Sequence, residues 1–430
     1  MTYSEAVQFL FGLRLFGANF GLENTRRLAA LAGNPQDRLR FIHVAGTNGK
    51  GSTCAMLESI YRAAGLRVGL FTSPHLVSFR ERIQVNRRLI PEEDVVRIVT
   101  EIQPLLKQFP ADHQPTFFEV ITIMALKFFA EQRCDLVIWE TGLGGRLDAT
   151  NIVTPLASVI TNIALDHQQW LGDTLEKIAA EKAGIIKPGI PILTTTAEPA
   201  ALTVIEKTAR EKSAPLTRVQ PFAAASAGHP TSLLGEHQKL NAALTVATVD
   251  ILQRQIPVSE ENIQAGLASV NWPGRLQLVE RPGGQKILLD GAHNVAGAET
   301  LSAALKKDFA NARPVLVFGA LADKNWPDIC RILAPLASRF IAVPVASERT
   351  AQADEVVRLV RATNPDLEST VCQNLTEALE AAKDAPLIMI TGSLYLVGEA
   401  LETLGFSPLA ANERALNEWF SPARGVHDIR

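Results

Sequence analysis

The chain has 430 residues, of which 47% are apolar and 20% charged, and its formal net charge is −3. This balance is typical of a globular protein and argues against nucleic acid or an anionic membrane as the main partner. No apolar run approaches the roughly 20 residues that span a bilayer, and the charged N-terminal stretch does not resemble a secretory signal. The four cysteines are scattered, which argues against a disulfide framework or a zinc site and favours a reducing cytoplasm.

The first informative element is a glycine-rich turn between an apolar run at 41–45 and a helical pattern at 53–64. A strand, a turn and a helix in this order place backbone N–H groups and a helix N-terminus around a phosphate. We therefore predict a phosphate-binding loop that consists of Gly46, Thr47, Asn48, Gly49, Lys50, Gly51 and Ser52. Lys50 supplies a positive charge for the outer phosphates, and Ser52 supplies a hydroxyl for phosphate or Mg²⁺. The alternative is a glycine-rich connection with a surface lysine, because the spacing departs from the common P-loop.

Apolar runs alternate with helical patterns along the first part of the chain, which predicts parallel strands with crossover helices. The predicted strands lie at 41–45, 67–72, 134–140, 156–161 and 190–195. A helix over 174–183 is predicted to have Asp173 as its N-cap, with Glu176 completing a capping box, and to end at Gly184. Residues 196–236 are predicted to be irregular, before a helix near 238–253.

Turn residues cluster at 271–285, which predicts a hinge or a domain boundary. After this cluster the predicted strands lie at 286–290, 314–320, 339–345, 368–372 and 386–391. The fold class is therefore α/β, with an N-terminal P-loop-type parallel-sheet ATPase domain and a smaller C-terminal Rossmann-like α/β domain. We place the two domains at residues 1–275 and 276–430.

Polar side chains follow several predicted strands, at the edge where open parallel sheets bind ligands. Glu140 ends one strand and could hold a Mg²⁺ ion that bridges nucleotide phosphates, or could be a solvated glutamate at a loop edge. His167 follows the next strand and could bind a second cation, although a lone histidine is more often structural. Ser73 follows a third strand and is ordinarily a turn residue. Sequence physics alone favours a salt-bridged helix lysine at Lys182.

In the second predicted domain, Asp290 and His293 follow a strand and precede a helix, which suggests contacts with a ribose and a phosphate. Ser393 follows the last predicted strand in the same way. Each of these residues could equally belong to a turn with a helix N-cap.

Ten short strings, spread over nearly the whole chain, resemble the folylpolyglutamate synthase and dihydrofolate synthase group of the Mur ligase superfamily. The strings are GTNGKGS at 46–52, TSPHL at 72–76, RERI at 80–83, ETGLGGRLDATN at 140–151, ALDH at 164–167, EKAGIIK at 181–187, WPGRL at 272–276, DGAHN at 290–294, ADKNW at 322–326 and TGSLYL at 391–396. Their combination is highly specific, although no single string would be.

The resemblance implies roles for the matching positions in this chain. The loop from Gly46 to Ser52 would hold the ATP phosphates, and the magnesium ligands would include Ser73, Glu140 and His167. Lys182 would be carbamylated, which reverses its interpretation as a salt-bridged lysine, because a carbamate anion helps to bind a cation. The resemblance also implies nucleotide contacts by Asn241, Arg275, Asp290 and His293, a glutamate-side position at Ser393, and a pterin-side segment of Phe117, Phe118 and Glu119.

The implied reaction is ATP-dependent ligation of L-glutamate to a folate, and also to dihydropteroate, through an acyl phosphate. Lys50, Glu140, His167 and Lys182 would be the catalytic residues, and the cofactors would be ATP, two Mg²⁺ ions and the carbamylated Lys182. The implied partners are small-molecule substrates, with no nucleic acid and no membrane. The enzyme is expected to be a cytoplasmic monomer.

Three alternatives remain open from the sequence. The protein could extend folates only, without making dihydrofolate. It could be a ligase of wall synthesis, but those resemble it with a threonine directly after the loop lysine, where this chain has Gly51, and with a UDP-binding domain for which the 45 residues before Gly46 are too few. It could be a nucleotide-binding switch without ligase activity, which would not need the DGAHN and TGSLYL strings.

Overall fold

The computed structural model describes residues 1–13, 21–220, 230–281, 283–309, 312–407 and 413–417. The chain divides into two compact units. The first unit comprises Met1–Pro230, Leu240–Val270 and Ala415–Arg430, and the second comprises Thr231–Lys239 and Asn271–Arg414. The domain boundary expected at residue 275 stays a prediction.

The first unit contains a sheet with eight strands in the described part of the chain. They are β1 (Phe41–Ala45), β2 (Val68–Phe71), β3 (Ile83–Val85), β4 (Arg88–Leu89), β5 (Leu136–Glu140), β6 (Ala157–Ile160), β7 (Ile192–Thr194) and β8 (Leu216–Arg218). Their order across the sheet is β4-β3-β2-β5-β1-β6-β7-β8, and all neighbours from β2 to β8 are parallel. The central strands β1, β5 and β6 are buried along their whole length, as expected where helices cover both faces of a parallel sheet.

The helices of this part of the chain are α1 (Tyr3–Gly12), α2 (Glu23–Leu31), α3 (Lys50–Ala63), α4 (Glu92–Leu106), α5 (Phe117–Glu131), α6 (Gln168–Leu171), α7 (Leu175–Ala183), α8 (Pro199–Glu211), α9 (Glu236–Leu252) and α10 (Glu260–Ser269). Part of the core forms around Trp139 on β5, whose ring lies 4.5 Å from that of Phe71 and 5.6 Å from that of Phe41. Helices α3 and α10 pack closely, because a Cβ at Gly266 would lie 2.5 Å from Cα of Ile60. These contacts fix α3, and hence the turn before it, against the sheet.

The second unit contains a six-stranded sheet among its described residues. The strands are β9 (Gln277–Glu280), β10 (Lys286–Leu289), β11 (Val315–Phe318), β12 (Arg339–Ala342), β13 (Ser369–Val371) and β14 (Leu387–Thr391), in the order β13-β12-β11-β14-β10-β9. Only β9 is antiparallel to its neighbour. The helices are α11 (Val295–Asp308), α12 (Trp326–Leu333), α13 (Ala353–Thr363), α14 (Leu375–Ala381) and α15 (Leu394–Thr403). The two α/β sheets confirm the predicted fold class.

The structure corrects two local predictions for helices α3 and α7. The helix after the glycine-rich turn begins at Lys50 and not at Thr53, so the last residues of the turn form the first turn of α3. The N-cap of α7 is Thr174, whose hydroxyl accepts from the N–H of Lys177, whereas Asp173 pairs with the ammonium of that lysine at 2.8 Å. The predicted end at Gly184 is confirmed.

The stretch predicted to be irregular, 196–236, contains helix α8 and strand β8. The helix was obscured by Pro199, which helices tolerate at their first position, yet the buried positions Ala201, Leu202, Ile205 and Ala209 recur at the helical period. Residues 221–229 of this stretch lie outside the described residues. No helix within the described ranges combines the length and the apolarity needed to cross a membrane.

Candidate active site

The glycine-rich turn runs from the end of β1 to the start of α3, and two of its glycines are sterically required. A Cβ at Gly46 would lie 1.8 Å from Oγ1 of Thr161, and a Cβ at Gly49 would lie 2.7 Å from Oδ1 of Asn241. Both glycines also have positive φ, 148° and 86°, which side chains disfavour. The predicted loop therefore has the expected shape, and the predicted nucleotide contact Asn241 lies directly against it.

Hydrogen bonds fasten the loop to the segment that follows β6. The N–H of Thr47 donates to the carbonyl of Asn162 at 2.8 Å, and the N–H of Asn48 donates to the Oδ1 of Asn162 at 2.7 Å. The hydroxyl of Thr161 donates to the carbonyl of Asn48, and Oγ1 of Thr47 bonds both the N–H and the carbonyl of Ala164. The loop is thus held in place before any ligand arrives.

Two lysine ammonium groups converge on one carbonyl of the loop. The Nζ of Lys50 lies 3.1 Å from the oxygen of Gly46, and the Nζ of Lys182, from α7, lies 2.7 Å from the same oxygen. Lys182 is buried, and burial together with the charge of Lys50 lowers the pKa of Lys182 to about 7. The site therefore holds an amine at Lys182 that is readily deprotonated, next to the side chain of Lys50.

Glu140 and Ser73 lie together at the ends of neighbouring strands. Strands β5 and β2 pair in parallel with Trp139 opposite Phe71, so the residues that follow meet at one edge of the sheet. The N–H of Ser73 donates to Oε2 of Glu140 at 3.1 Å, and the Glu140 side chain is buried. Burial raises the pKa of the Cys54 thiol in α3, and the charge of Glu140 contributes to the same shift.

His167 lies just before α6, in a left-handed conformation with φ of 50°. Its N–H donates to Oδ1 of Asp166 at 2.8 Å, and its Nε2 lies 3.9 Å from Oδ2 of Asp166. The imidazole is 42% exposed and can therefore reach a ligand in solution. Asp166, which sequence reasoning did not single out, also acts on the buried amine of Lys182 by raising its pKa.

The predicted pterin-side segment begins α5. The ring of Phe118 lies over Gly142, because a Cβ at Gly142 would be 2.4 Å from Cζ of Phe118. The carboxylate of Glu119 accepts from the N–H of Thr116 at 2.8 Å and from the hydroxyl of Thr25 at 3.0 Å, which completes a capping box. Glu119 is thus engaged in structural bonds, and its contact with a ligand stays a prediction.

In the second unit, three predicted nucleotide contacts lie around the turn after β10. The carboxylate of Asp290 accepts from the N–H groups of Leu276 and Ala292, both at 2.9 Å. A Cβ at Gly291 would lie 2.7 Å from Nη1 of Arg275. The Nδ1–H of His293 donates to the carbonyl of Gly291 at 2.7 Å, which fixes the orientation of the ring.

Ser393 is the N-cap of α15 in the same unit. Its hydroxyl accepts from the N–H groups of Tyr395 and Leu396 at 3.0 and 3.3 Å, and the side chain is buried. The N-cap alternative considered for this serine is therefore realised. A role at the glutamate side stays a prediction.

Two family models match the chain, one to each half. The Mur ligase middle domain matches residues 44–213, and the Mur ligase glutamate ligase domain matches residues 274–394. The chain is 38% identical to the dihydrofolate synthase/folylpolyglutamate synthase of Bacillus subtilis, over 94% of this chain and 99% of that relative. The chain belongs to the folylpolyglutamate synthase/dihydrofolate synthase family of Mur ligases. It is therefore an ATP-dependent amino acid ligase.

Solved structures of related ligases share the fold. The folylpolyglutamate synthase of Thermotoga maritima superposes with a TM-score of 0.82 at 35% identity, covering 96% of this chain and 99% of that one. E. coli FolC in complex with DHPP and ADP superposes with a TM-score of 0.83 at 31% identity, covering 94% of this chain and 98% of that one.

A buried network that sequence reasoning missed shapes the loop after Glu140 in this ligase. Asp148 accepts from the N–H of Leu143 at 2.7 Å and from the hydroxyl of Thr150. Because the hydroxyl proton of Thr150 is used in that bond, its oxygen accepts from Nε2–H of His43 at 2.9 Å. Burial, aided by the charge of Lys187, lowers the pKa of His43 to about 3, so the imidazole is neutral.

The described residues contain no cluster of three or more His, Cys, Asp or Glu side chains placed to hold a metal. The predicted magnesium ligands of the ligase include only two side chains of these types, Glu140 and His167. A hydroxyl and a carboxylate are nonetheless oxygen donors that suit Mg²⁺, which keeps several waters and is bound through few protein groups, whereas the imidazole of His167 is a less usual ligand for this ion. The donor set therefore fits the ion.

Proposed function

We propose that this protein joins L-glutamate to a folate at the expense of ATP, and that dihydropteroate is a second acceptor. The observation that carries the proposal is the convergence of Lys50 and Lys182 on the Gly46 carbonyl, at the sheet edge that also presents Glu140. Such a site places the positive charge of Lys50, the readily deprotonated amine of Lys182 and one carboxylate around a phosphate loop. Phosphoryl transfer needs this arrangement, because its catalysis is mainly positioning and charge stabilisation.

The ATP phosphates are proposed to bind at Gly46 to Ser52. Asn162 already occupies the N–H groups of Thr47 and Asn48. Gly49, the N-cap of α3, has no side chain that could cap the helix, and helix N-termini of this kind bind phosphates through their backbone N–H groups. The positive helix end and the ammonium of Lys50 both favour an anion there.

The remaining nucleotide contacts are proposed for Asn241, beside the loop, and for a set in the second unit, which consists of Arg275, Asp290 and His293. The ring of His293 is oriented by the bond from its Nδ1–H to the carbonyl of Gly291. Phe118 and Glu119 are proposed to face the pterin, and Ser393 the glutamate. We keep the proposed division into an ATP- and folate-binding domain, 1–275, and a glutamate ligase domain, 276–430.

Ser73, Glu140, His167 and Lys182 are proposed to hold two Mg²⁺ ions, with Lys182 as a carbamate. A pKa of about 7 gives Lys182 a large neutral fraction at neutral pH. Its neutral amine can attack carbon dioxide, so that a C–N bond forms, one proton leaves and the carbamate carries a negative charge. When bound, Mg²⁺ would offset the negative charge of the phosphates.

The reaction would proceed through an acyl phosphate, because a carboxylate has no acceptable leaving group. A carboxylate oxygen of the folate attacks the γ-phosphorus, the bond to the ADP oxygen breaks, and Lys50 offsets the charge on the transferred group. The neutral amine of glutamate then attacks the acyl carbon. Phosphate leaves with the bonding electrons, the amine loses a proton, and an amide remains.

The test is an assay of purified protein with MgATP and L-glutamate, run in parallel with dihydropteroate and with tetrahydrofolate. We expect ADP release that requires both glutamate and the pterin acceptor, and products with one added glutamate by mass spectrometry. Turnover with tetrahydrofolate alone would favour a monofunctional folylpolyglutamate synthase. ADP release that needs neither substrate would contradict ligase activity and favour a nucleotide-binding switch.

We also propose that the enzyme works as a monomer in the cytoplasm. All four cysteines are free thiols and buried, which suits a reducing compartment. Light scattering after size-exclusion chromatography should give a mass near 46.6 kDa. A mass of twice that value would contradict the monomer.

A further inference from the structure

Arg82 is a buried arginine that joins three separate parts of the first unit. It ends the short helix Phe79–Arg82, and only 4% of it is exposed. Its Nε–H donates to Nδ1 of His75 at 2.8 Å, and its Nη2 donates to Oδ1 of Asn417. Its guanidinium also lies over the ring of Phe117, 5.5 Å from the ring centre.

Asn417 closes this arrangement into a triangle. While its Oδ1 accepts from Arg82, its Nδ2 donates to the backbone carbonyl of His75 at 2.9 Å. A guanidinium only donates, so Nδ1 of His75 is the acceptor. The three hydrogen bonds therefore link Arg82, His75 and Asn417 to one another. All three residues are buried.

The triangle sits directly behind the turn that carries Ser73. His75 is two residues beyond Ser73, whose N–H is bound to the carboxylate of Glu140. The next residues are held by Glu81, whose carboxylate accepts from the N–H groups at Leu76, Val77 and Ser78. The turn is thus held at Ser73 by Glu140, at residues 76–78 by Glu81, and at His75 by Asn417.

Asn417 comes from a distant part of the chain. It lies 335 residues after Arg82, in the short helix Glu413–Asn417, and its neighbour Leu416 is buried in the core of the first unit. Leu416 accounts for the packing of this segment. The side-chain amide of Asn417 has a separate role, because it forms hydrogen bonds with both the buried guanidinium of Arg82 and the backbone carbonyl of His75.

We propose that Asn417 is a positioning residue for magnesium-dependent nucleotide binding, which acts by holding the Ser73 turn through Arg82 and His75. The proposal rests on the proposed function, in which Ser73 and Glu140 face Mg²⁺. Groups that orient metal ligands from behind typically change metal affinity by 10–100-fold when they are removed. Asn417 should therefore affect nucleotide binding only when the cation is present.

The test compares Asn417→Ala with Leu416→Ala in the full-length protein. The affinity for ADP is measured by calorimetry, once with Mg²⁺ and once with EDTA. For Asn417→Ala we expect roughly tenfold weaker binding of MgADP and unchanged binding of ADP in EDTA. For Leu416→Ala we expect a lower melting temperature, because it opens a cavity in the core, and the same Mg²⁺ dependence as the wild type.

Asn417→Asp covers the case in which the alanine variant does not fold. Its carboxylate still pairs with Arg82, while an oxygen that repels the His75 carbonyl replaces the N–H donor, so we expect a weakening that is again confined to MgADP. Wild-type affinity for MgADP in both variants would overturn the proposal. Equal losses with Mg²⁺ and with EDTA would also overturn it. Failure of the proposed function is distinguishable, because the wild type itself would then bind no MgADP.

Discussion

In both units, polar residues follow the carboxyl ends of the parallel strands, but these residues make different contacts in the two units. We call these the first edge, in the first unit, and the second edge, in the second unit. At the edge of the first sheet, Lys50 and Lys182 share the carbonyl of Gly46, and Glu140 lies nearby with one backbone donor. At the edge of the second sheet, both oxygens of Asp290 accept from backbone N–H groups, and Ser393 caps a helix. The first edge holds concentrated charge, whereas the second holds polar groups that already stabilise the fold.

This difference indicates which of the two sheet edges contributes to catalysis. Charged side chains at a ligand site are costly to bury, and a ligand of opposite charge offsets that cost when it binds. Groups that already cap helices or bond turns can position a ligand through their backbone but have little left to contribute to a transition state. Variants of the first edge should therefore lose activity, and variants of the second edge should lose stability.

The largest effect is expected for Lys50→Ala. Without this ammonium, the charge on the transferred phosphoryl group is not offset, and we expect kcat to fall by about a thousandfold or more. The measurement is ADP release with saturating substrates, together with a melting curve to show that the fold survives. The matched control is Lys207→Ala, an exposed lysine of α8, which should keep the wild-type rate. Normal turnover by Lys50→Ala would contradict the expectation that variants of the first edge lose activity.

A smaller loss, about a hundredfold, is expected for Lys182→Ala, because the carbamate would be missing while the loop remains. Short carboxylic acids should partly restore activity to Lys182→Ala, since their carboxylate can take the place of the carbamate. The same acids should not restore Lys50→Ala, which lacks a cation. Wild-type rates in Lys182→Ala would exclude the carbamate.

Ten of the fourteen described strands were predictable because they lie in mostly apolar runs bounded by turn residues. The four that were missed, β3, β4, β8 and β9, are short and lie at the sides of the two sheets. The site was predictable only where polar residues follow such runs, as Glu140 and Asp290 do. Helix α8 was missed because Pro199 and the polar residues around it obscured the apolar positions. The N-cap of α7 was misplaced by one residue, since Asp173 and Thr174 are both good caps.

The environment of Lys182 could not be read from the sequence. Its nearest partner, the Gly46 carbonyl, is 136 residues away, and its burial depends on how α7 packs beside the loop. The same holds for Asn162, which fastens the loop, and for Asn417, which reaches Arg82 across most of the chain. Long-range contacts of this kind carry no local pattern, so sequence physics favoured a salt-bridged lysine at Lys182.

A stability measurement against pH tests the first edge without any substrate. Burial lowers the pKa of Lys182 to about 7, so between pH 7 and about 10 the unfolded chain binds more protons than the folded one. The free energy of unfolding should therefore rise with pH in this range, with a contribution from Lys182 of at most about 1.4 kcal/mol per pH unit.

The measurement is chemical denaturation in CO₂-free buffer, which keeps the amine uncarbamylated. Lys187, whose pKa burial lowers to about 8, adds a slope of the same sign. The quantity to compare is therefore the slope of the free energy of unfolding against pH, in the wild type and in Lys182→Met, because Lys187 contributes to both. An identical slope in the two proteins would show that Lys182 is not perturbed in the folded state.

The smallest effect is expected at the second edge, for Ser393→Ala. The hydroxyl of Ser393 caps α15 through the N–H groups of Tyr395 and Leu396, and loss of a helix cap costs about 1 kcal/mol. Thr403→Ala, in the last turn of the same helix, removes a hydroxyl that only bonds the carbonyl of Glu399, and it should change the stability by less than about 0.5 kcal/mol. If Ser393→Ala instead kept its stability and raised the KM for glutamate, the hydroxyl would bind substrate, and the second edge would resemble the first.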